Sequence, residues 1–297
     1  MPSTAMPSTA MPPTAMPPTS PAAAPAPSGI RTRPRPCPVC GSVNAATPPG
    51  RYSRDGWAVI DCDTCGFVHL RDVPETVELE ETLAWEKTYA AEAVRRKRTQ
   101  PVLQWLDAKT RWRLHILPRV EGVDILNRRA ASGPALDLGC GGGGNLMKFA
   151  DRFIPYGVEV SKHLAAEADG KARARGGHVV QASSAEGLTR FPERFFTAAL
   201  LRSYLEHDWQ AREVLHALAG RMAPGGLVAV KVPNYGCLNR KVMGANWCGF
   251  RLPDHVNYFD PPSLTRLAEE AGFTVSLPLM RRLPTDDNML TILTRPG

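Results

Sequence analysis

From Ala135 to Thr294 short apolar runs alternate with stretches whose apolar residues recur at helical spacing. ALDL (135–138), YGVEV (156–160), HVVQ (178–181), FTAALLR (196–202) and LVAVKV (227–232) predict five strands. FTVSLPL (273–279) and NMLTILT (288–294) predict two more, with helices most clearly over 143–152, 161–175, 209–222 and 262–271. Repeated βα units indicate a parallel, doubly wound α/β sheet covered on both faces. No crossover helix separates the last two strands, so one of them is expected to be antiparallel.

Upstream of this domain the pattern changes. Residues 75–130 read as helix punctuated by Pro101 and Pro118, and Trp85, Tyr89, Trp105 and Trp112 read as its core stripe. Residues 1–20 repeat the pentapeptide MPSTA/MPPTA, and the uncharged tract through Pro27 has little to bury, so a disordered tail is expected. The chain divides into a tail (1–30), a cysteine-bearing segment (31–72), a helical linker or cap (73–130) and the main domain (131–297). No run approaches the roughly 20 apolar residues of a membrane span. The first residues lack the basic and apolar regions of a secretory signal, so a cytoplasmic location is expected.

Charge matters by position. Ten Lys or Arg against three acids between Arg95 and Arg129 account for the whole net charge of +7. RRKR (95–98) is more often a solvated face than a binding site, and an anionic partner or acceptor is the competing reading.

Four of the seven cysteines, Cys37, Cys40, Cys62 and Cys65, have the spacing C-x2-C-x21-C-x2-C. Gly41 and Gly66 follow the two pairs and tolerate the positive φ of a tight knuckle. Four thiolates complete a tetrahedron with no open position, so a structural zinc site is favoured over a redox pair or disulfides. A segment this short cannot hold itself together by core burial alone, so the metal is expected to supply its folding energy.

LDLGCGGGGNL (136–146) satisfies two fingerprints. Gly139, Gly141 and Gly144 fit G-x-G-x-x-G, the dinucleotide pattern, whereas Gly139, Gly141 and Gly143 fit G-x-G-x-G with Asp137 ahead. In either case Glu159, at the end of the second strand, is placed to accept hydrogen bonds from ribose hydroxyls. Asp137 decides between them: a carboxylate is unwelcome beside a pyrophosphate but compatible with the ammonium and sulfonium of S-adenosylmethionine.

LDLGCGGG, YGVEVS, LLRSYLEH and APGGLVAVKVPN resemble successive motifs of class I S-adenosylmethionine-dependent methyltransferases over residues 130–295. NWCGFRLPDHVNYFDPPSLTRLAEEAGF (246–273) is similar to a subgroup that carries an N-terminal zinc ribbon and is associated with small-molecule and sugar methylation. The resemblance implies a seven-stranded Rossmann-like sheet with a terminal antiparallel strand. It further implies that Asp137, Gly139, Gly141 and Gly143 hold the methionine half of the cofactor and Glu159 the ribose. Ser184 stands where the family usually places an acid against adenine, and Cys140 and Arg202 complete the candidate cofactor set.

O-methylation of a small molecule, such as a sugar or a glycosylated or nucleotide-linked precursor, is the expected activity. RNA base methylation is the alternative, since a ribbon and basic helices also suit nucleic acid. Against it, RSYLEH (202–207) stands where amino-group methylation typically places N/D-P-P-Y/F. A binding module that kept the fold without turnover is a third reading. A hydroxyl acceptor needs a base. His255, in the polar stretch PDHVNYF with Asp254 and Tyr258, is placed ahead of His207 with Glu206 beside it. The opposing reading of either is a hydrogen-bonded structural histidine.

Overall fold

The computed structural model describes residues 30–75, 120–276 and 286–297. The N-terminal part contains β1 (Thr32–Pro34), β2 (Val59–Asp61), β3 (Val68–Leu70) and β4 (Asp72–Pro74). β1 pairs antiparallel with β4 and β2 with β3, so paired structure extends two residues past the expected boundary at 72. The helix expected over 75–130 lies outside the described residues as far as 119, together with its aromatics and RRKR. Its described end is α1 (Gly122–Arg129).

The main domain continues with β5 (Gly133–Leu138), β6 (Phe153–Glu159), α2 (Lys162–Arg173), β7 (Val179–Gln181) and α3 (Ser184–Thr189). β8 (Phe196–Arg202), α4 (Ala211–Arg221), β9 (Met222–Pro233) and α5 (Leu238–Met243) follow. β10 (Asn257–Tyr258), α6 (Pro261–Glu270), β11 (Thr274–Ser276) and β12 (Asn288–Thr294) complete it. Seven strands form one sheet in the order β11-β12-β9-β8-β5-β6-β7. β12 runs antiparallel to β9 and β11, and the pairs from β9 to β7 are parallel, as the missing crossover helix predicts.

The side-chain period of 2 sorts the sheet core into two layers. Leu136, Leu138, Ala199, Leu201, Val228 and Val230 pack on one face, and Ala135, Ala198, Leu200, Leu227 and Ala229 pack on the other with Leu126 of α1. At Gly122 a Cβ would stand 2.9 Å from Ala229 Cβ, so the start of α1 lies directly on the sheet. The strand order reverses between β5 and β8, and the segments after those two strands meet at the C-terminal edge, where ligands of such sheets bind.

The expected helix over 143–152 is replaced by turns and a 3-10 segment, Leu146–Lys148. Gly143 has φ +83°, which a right-handed helix cannot contain. Side chains from elsewhere take the backbone groups a helix would have paired. Asn127 accepts from Ala150 N at 3.0 Å, and Arg175 donates to Phe149 O and Ala150 O, both at 2.8 Å. Tertiary hydrogen bonds thus override the helical pattern.

Candidate active site

The glycine loop leaves β5 directly behind Asp137. Gly139, Gly141 and Gly143 have φ of +70°, +52° and +83°, a region that costs other residues about 1–2 kcal/mol. Gly139 is constrained twice, since a Cβ there would lie 2.4 Å from Tyr204 Cδ2. Glu159 supports the loop from β6: its Oε2 accepts from Gly141 N at 2.8 Å and its Oε1 from Ser161 N at 2.9 Å. A carboxylate has about four lone pairs, so two remain for a ligand. Cys140 Sγ faces inward, where a Cβ on Gly157 would meet it at 2.7 Å, so its backbone rather than its thiol shapes the loop.

Asp137 is 2% exposed, and its Oδ2 has no hydrogen-bond partner. Burial pushes its carboxyl up to about 7, against the pull of the Arg202 charge. Arg202 itself is engaged, donating from Nε to Glu121 Oε2 at 3.1 Å, with Lys231 Nζ 3.6 Å from the other Glu121 oxygen. A buried carboxylate with one oxygen left without a donor, behind a glycine loop, fits a cationic ligand. The donor set therefore suits S-adenosylmethionine. Ser184 is buried at the start of α3, against the Tyr204 phenol, which donates to Asp208.

The segment after β8 brings three of the predicted catalytic residues together. Glu206 is 1% exposed, and its Oε2 lacks a partner. Burial raises its carboxyl to about 7, with the His207 charge opposing. His207 Nδ1 lies 3.0 Å from Asp254 Oδ1, an acceptor, so this nitrogen carries the proton in the neutral ring. Burial disfavours the His207 imidazolium, but the Asp254 carboxylate outweighs it and the net shift is upward. His255 stands edge-on to His207, ring centroids 4.7 Å apart, and donates from Nδ1 to Gly249 O at 2.8 Å. Burial holds its titration well below the usual histidine range, so it is neutral at pH 7.

The four cysteines also converge. Cys37 and Cys65 Sγ atoms are 3.6 Å apart, and Cys40 and Cys62 Sγ atoms 3.5 Å. A tetrahedron with Zn–S bonds of about 2.3 Å has edges of about 3.8 Å. The knuckles match: Gly41 N donates to Cys37 O and Gly66 N to Cys62 O, both at 2.8 Å, with φ of +75° and +72° at the glycines. The donor set fits zinc.

This ribbon shares its core with the main domain. Val39 and Phe67 bury in the same cluster as Leu205, Leu215 and Phe259. β10, which follows His255 by two residues, pairs antiparallel with β3. Buried Arg35 donates to Leu70 O at 3.1 Å, Val256 O at 2.6 Å and Asn257 Oδ1 at 2.8 Å. Asn257 in turn donates to Leu205 O and Asp208 O, both at 2.7 Å. Arg54 donates to Phe250 O at 2.7 Å, and Arg212 of α4 to Val39 O at 2.5 Å. Sequence reasoning missed Tyr204, Asp254 as the partner of His207, and Arg35. SYLEH and PDH did signal the first two by adjacency, whereas nothing local marks Arg35.

The sheet order, the glycine loop and the buried Asp137 behind it define a class I S-adenosylmethionine-dependent methyltransferase. The chain belongs to the family described as a methyltransferase domain, whose match covers residues 111–277, more than half its length. Among solved structures it is similar to an S-adenosylmethionine-dependent methyltransferase from Archaeoglobus fulgidus. That match has 16% identity and TM-score 0.45, covering 68% of this chain and 99% of the other. A methyltransferase from Thermotoga maritima matches at 19% identity and TM-score 0.44, over 65% and 97% of the two chains. An O-methyltransferase family protein from Burkholderia thailandensis matches at 19% and 0.46, over 59% and 55%. No curated protein matches the chain. Among the described residues no helix is long and apolar enough to cross a membrane.

Proposed function

We propose that the chain methylates a hydroxyl of a small molecule, such as a sugar or a glycosylated or nucleotide-linked precursor. One observation carries this reading: Glu206, His207 and His255 meet directly after β8, where Tyr204 of the same segment lies across Gly139 of the cofactor loop. That cluster supplies polar groups that can activate a hydroxyl beside the cofactor pocket. Its burial, under a loop tied to the ribbon, favours an enclosed acceptor over an open strand of RNA.

S-adenosylmethionine supplies an electrophilic methyl on a sulfonium. Asp137 would pair with its ammonium, Gly139, Gly141 and Gly143 would leave room for the methionine half, and Glu159 would accept from ribose hydroxyls. Ser184 would meet the adenine. Cys37, Cys40, Cys62 and Cys65 would hold zinc, which would close the ribbon and so steady the loop carrying Asp254 and His255. The chain contributes positioning and charge neutralisation, and the His207–Asp254 pair orients the ring nitrogen that faces the acceptor.

Tritiated-methyl transfer into a cell extract, with and without ribonuclease, tests this reading. Label in a small, ribonuclease-resistant fraction is expected. Label that disappears on ribonuclease treatment selects RNA methylation instead.

A further inference from the structure

We propose that Glu206, His207 and His255 form a second metal site, one for a catalytic divalent ion of borderline softness such as Co2+, Zn2+ or Fe2+, held against the acceptor hydroxyl. This rests on the O-methyltransferase reading of the site.

The geometry comes from three observations. Each of the three residues offers one ligand atom (a carboxylate oxygen or, for each histidine, one of its ring nitrogens), and these atoms lie within 4.8 Å of one another. Bonds of about 2.0–2.2 Å to a common ion need only a small inward movement from there. Glu206 Oε2 is buried without any hydrogen-bond partner. A carboxylate oxygen taken out of water and left without a donor is costly, and a cation at this point removes that cost. Both imidazoles already have their Nδ1 atoms committed, to Asp254 Oδ1 at 3.0 Å and to Gly249 O at 2.8 Å. Metal-bound histidines usually donate their other ring nitrogen to a carboxylate or carbonyl in this way, which fixes the tautomer and leaves Nε2 as the ligand.

Two imidazoles and one carboxylate select imidazole-friendly first-row ions and leave positions open, unlike the four cysteines. Arg251 is engaged behind the site, 3.0 Å from Asp254 Oδ2. The His207 side chain, 21% exposed, is the open approach, since Glu206 and His255 are buried. A hydroxyl on such an ion loses its proton more readily. In the transfer the hydroxyl proton passes to water and the oxygen–methyl bond forms. The methyl–sulfur bond breaks with its electron pair left on sulfur.

The test uses the full chain with its four cysteines filled by zinc, titrated with Co2+ and followed by visible absorption. About one further equivalent is expected, with weak d–d bands and no thiolate charge-transfer band. Glu206→Gln and His207→Gln should each weaken cobalt binding by about 100-fold or more while S-adenosylmethionine affinity is kept, which shows that the variants fold. X-ray absorption on the wild type adds a measurement independent of folding, with only nitrogen and oxygen neighbours expected. No cobalt taken up beyond the zinc-filled cysteines, equal binding by both variants, or sulfur around the added ion would each overturn the proposal. Failure of the wild type to bind S-adenosylmethionine would instead overturn the methyltransferase reading, whatever cobalt does.

Discussion

Arg35, two residues before the first ribbon cysteine, donates to Asn257 Oδ1 at 2.8 Å, joining positions 222 apart in the chain. Its guanidinium is fully buried and also serves three backbone carbonyls, Leu70, Trp209 and Val256. Burial lowers its pKa to about 10, so it stays charged at neutral pH. Arg35→Met should cost about 3 kcal/mol, because the buried acceptors lose their donor. Arg35→Lys should recover little, since a point charge cannot reproduce the planar fork. Urea unfolding midpoints check this, and a midpoint unchanged in the Met variant would refute the clamp.

Asp137 should make cofactor affinity pH-dependent. Its carboxyl titrates near pH 7 in the fold, and near 3.9 when unfolded. Its contribution to folding is therefore complete below about pH 4 and lost as pH rises through about 7. Asp137→Asn should melt higher than wild type at pH 8. Pairing with an ammonium needs the ionised form, so wild-type affinity should fall about tenfold per unit below pH 7. The Asn variant should bind weakly without that slope. Calorimetry from pH 5.5 to 8.5 reads both, and a flat wild-type profile would count against the pairing.

Gly139→Ala meets two obstacles, a left-handed backbone and the Tyr204 ring. The strain should cost about 2 kcal/mol and lower the melting temperature by about 4–8 °C. Displacing Tyr204 should also cut S-adenosylmethionine affinity at least tenfold. If Gly139→Ala keeps wild-type affinity, the ring does not border the cofactor.

Elemental analysis of protein purified under reducing conditions should find zinc at the four cysteines, and Cys62→Ser should lose it. Val39 and Phe67 of the ribbon bury in the main core, so the variant should melt lower in one transition rather than shedding the ribbon separately. Its S-adenosylmethionine affinity should persist. Two resolved transitions in the wild type would show that the ribbon folds independently.

With an acceptor in hand, His207→Ala and His255→Ala should each lower turnover by about 10²-fold with cofactor binding intact. A loss confined to His207 would assign hydroxyl activation to the His207–Asp254 pair alone. A loss confined to His255 would assign hydroxyl activation to the loop histidine.

The sequence by itself determined the features that are local in the chain. Apolar runs of strand length placed all seven strands of the sheet to within a few residues, because pairing burial on both faces demands continuous apolar segments. The Gly-following cysteine pairs and the G-x-G-x-G loop were legible for the same reason: a positive φ requires its glycine at a set offset from the ligand residue.

What only the tertiary structure decided depends on contacts between distant segments. Residues 143–152 carry a helical pattern, yet Asn127 and Arg175 take the backbone groups a helix would have used. The sequence set the ribbon apart as a separate segment, and nothing in it signalled that β3 pairs with β10 across nearly 190 positions of chain. His207 and His255 were rival bases in the sequence. The Asn257 amide, by holding the two loops at Leu205 O and Asp208 O, makes them neighbours around one carboxylate. Spacing along a chain carries no information about such pairs, because loop closure over long separations depends only weakly on the number of residues between them.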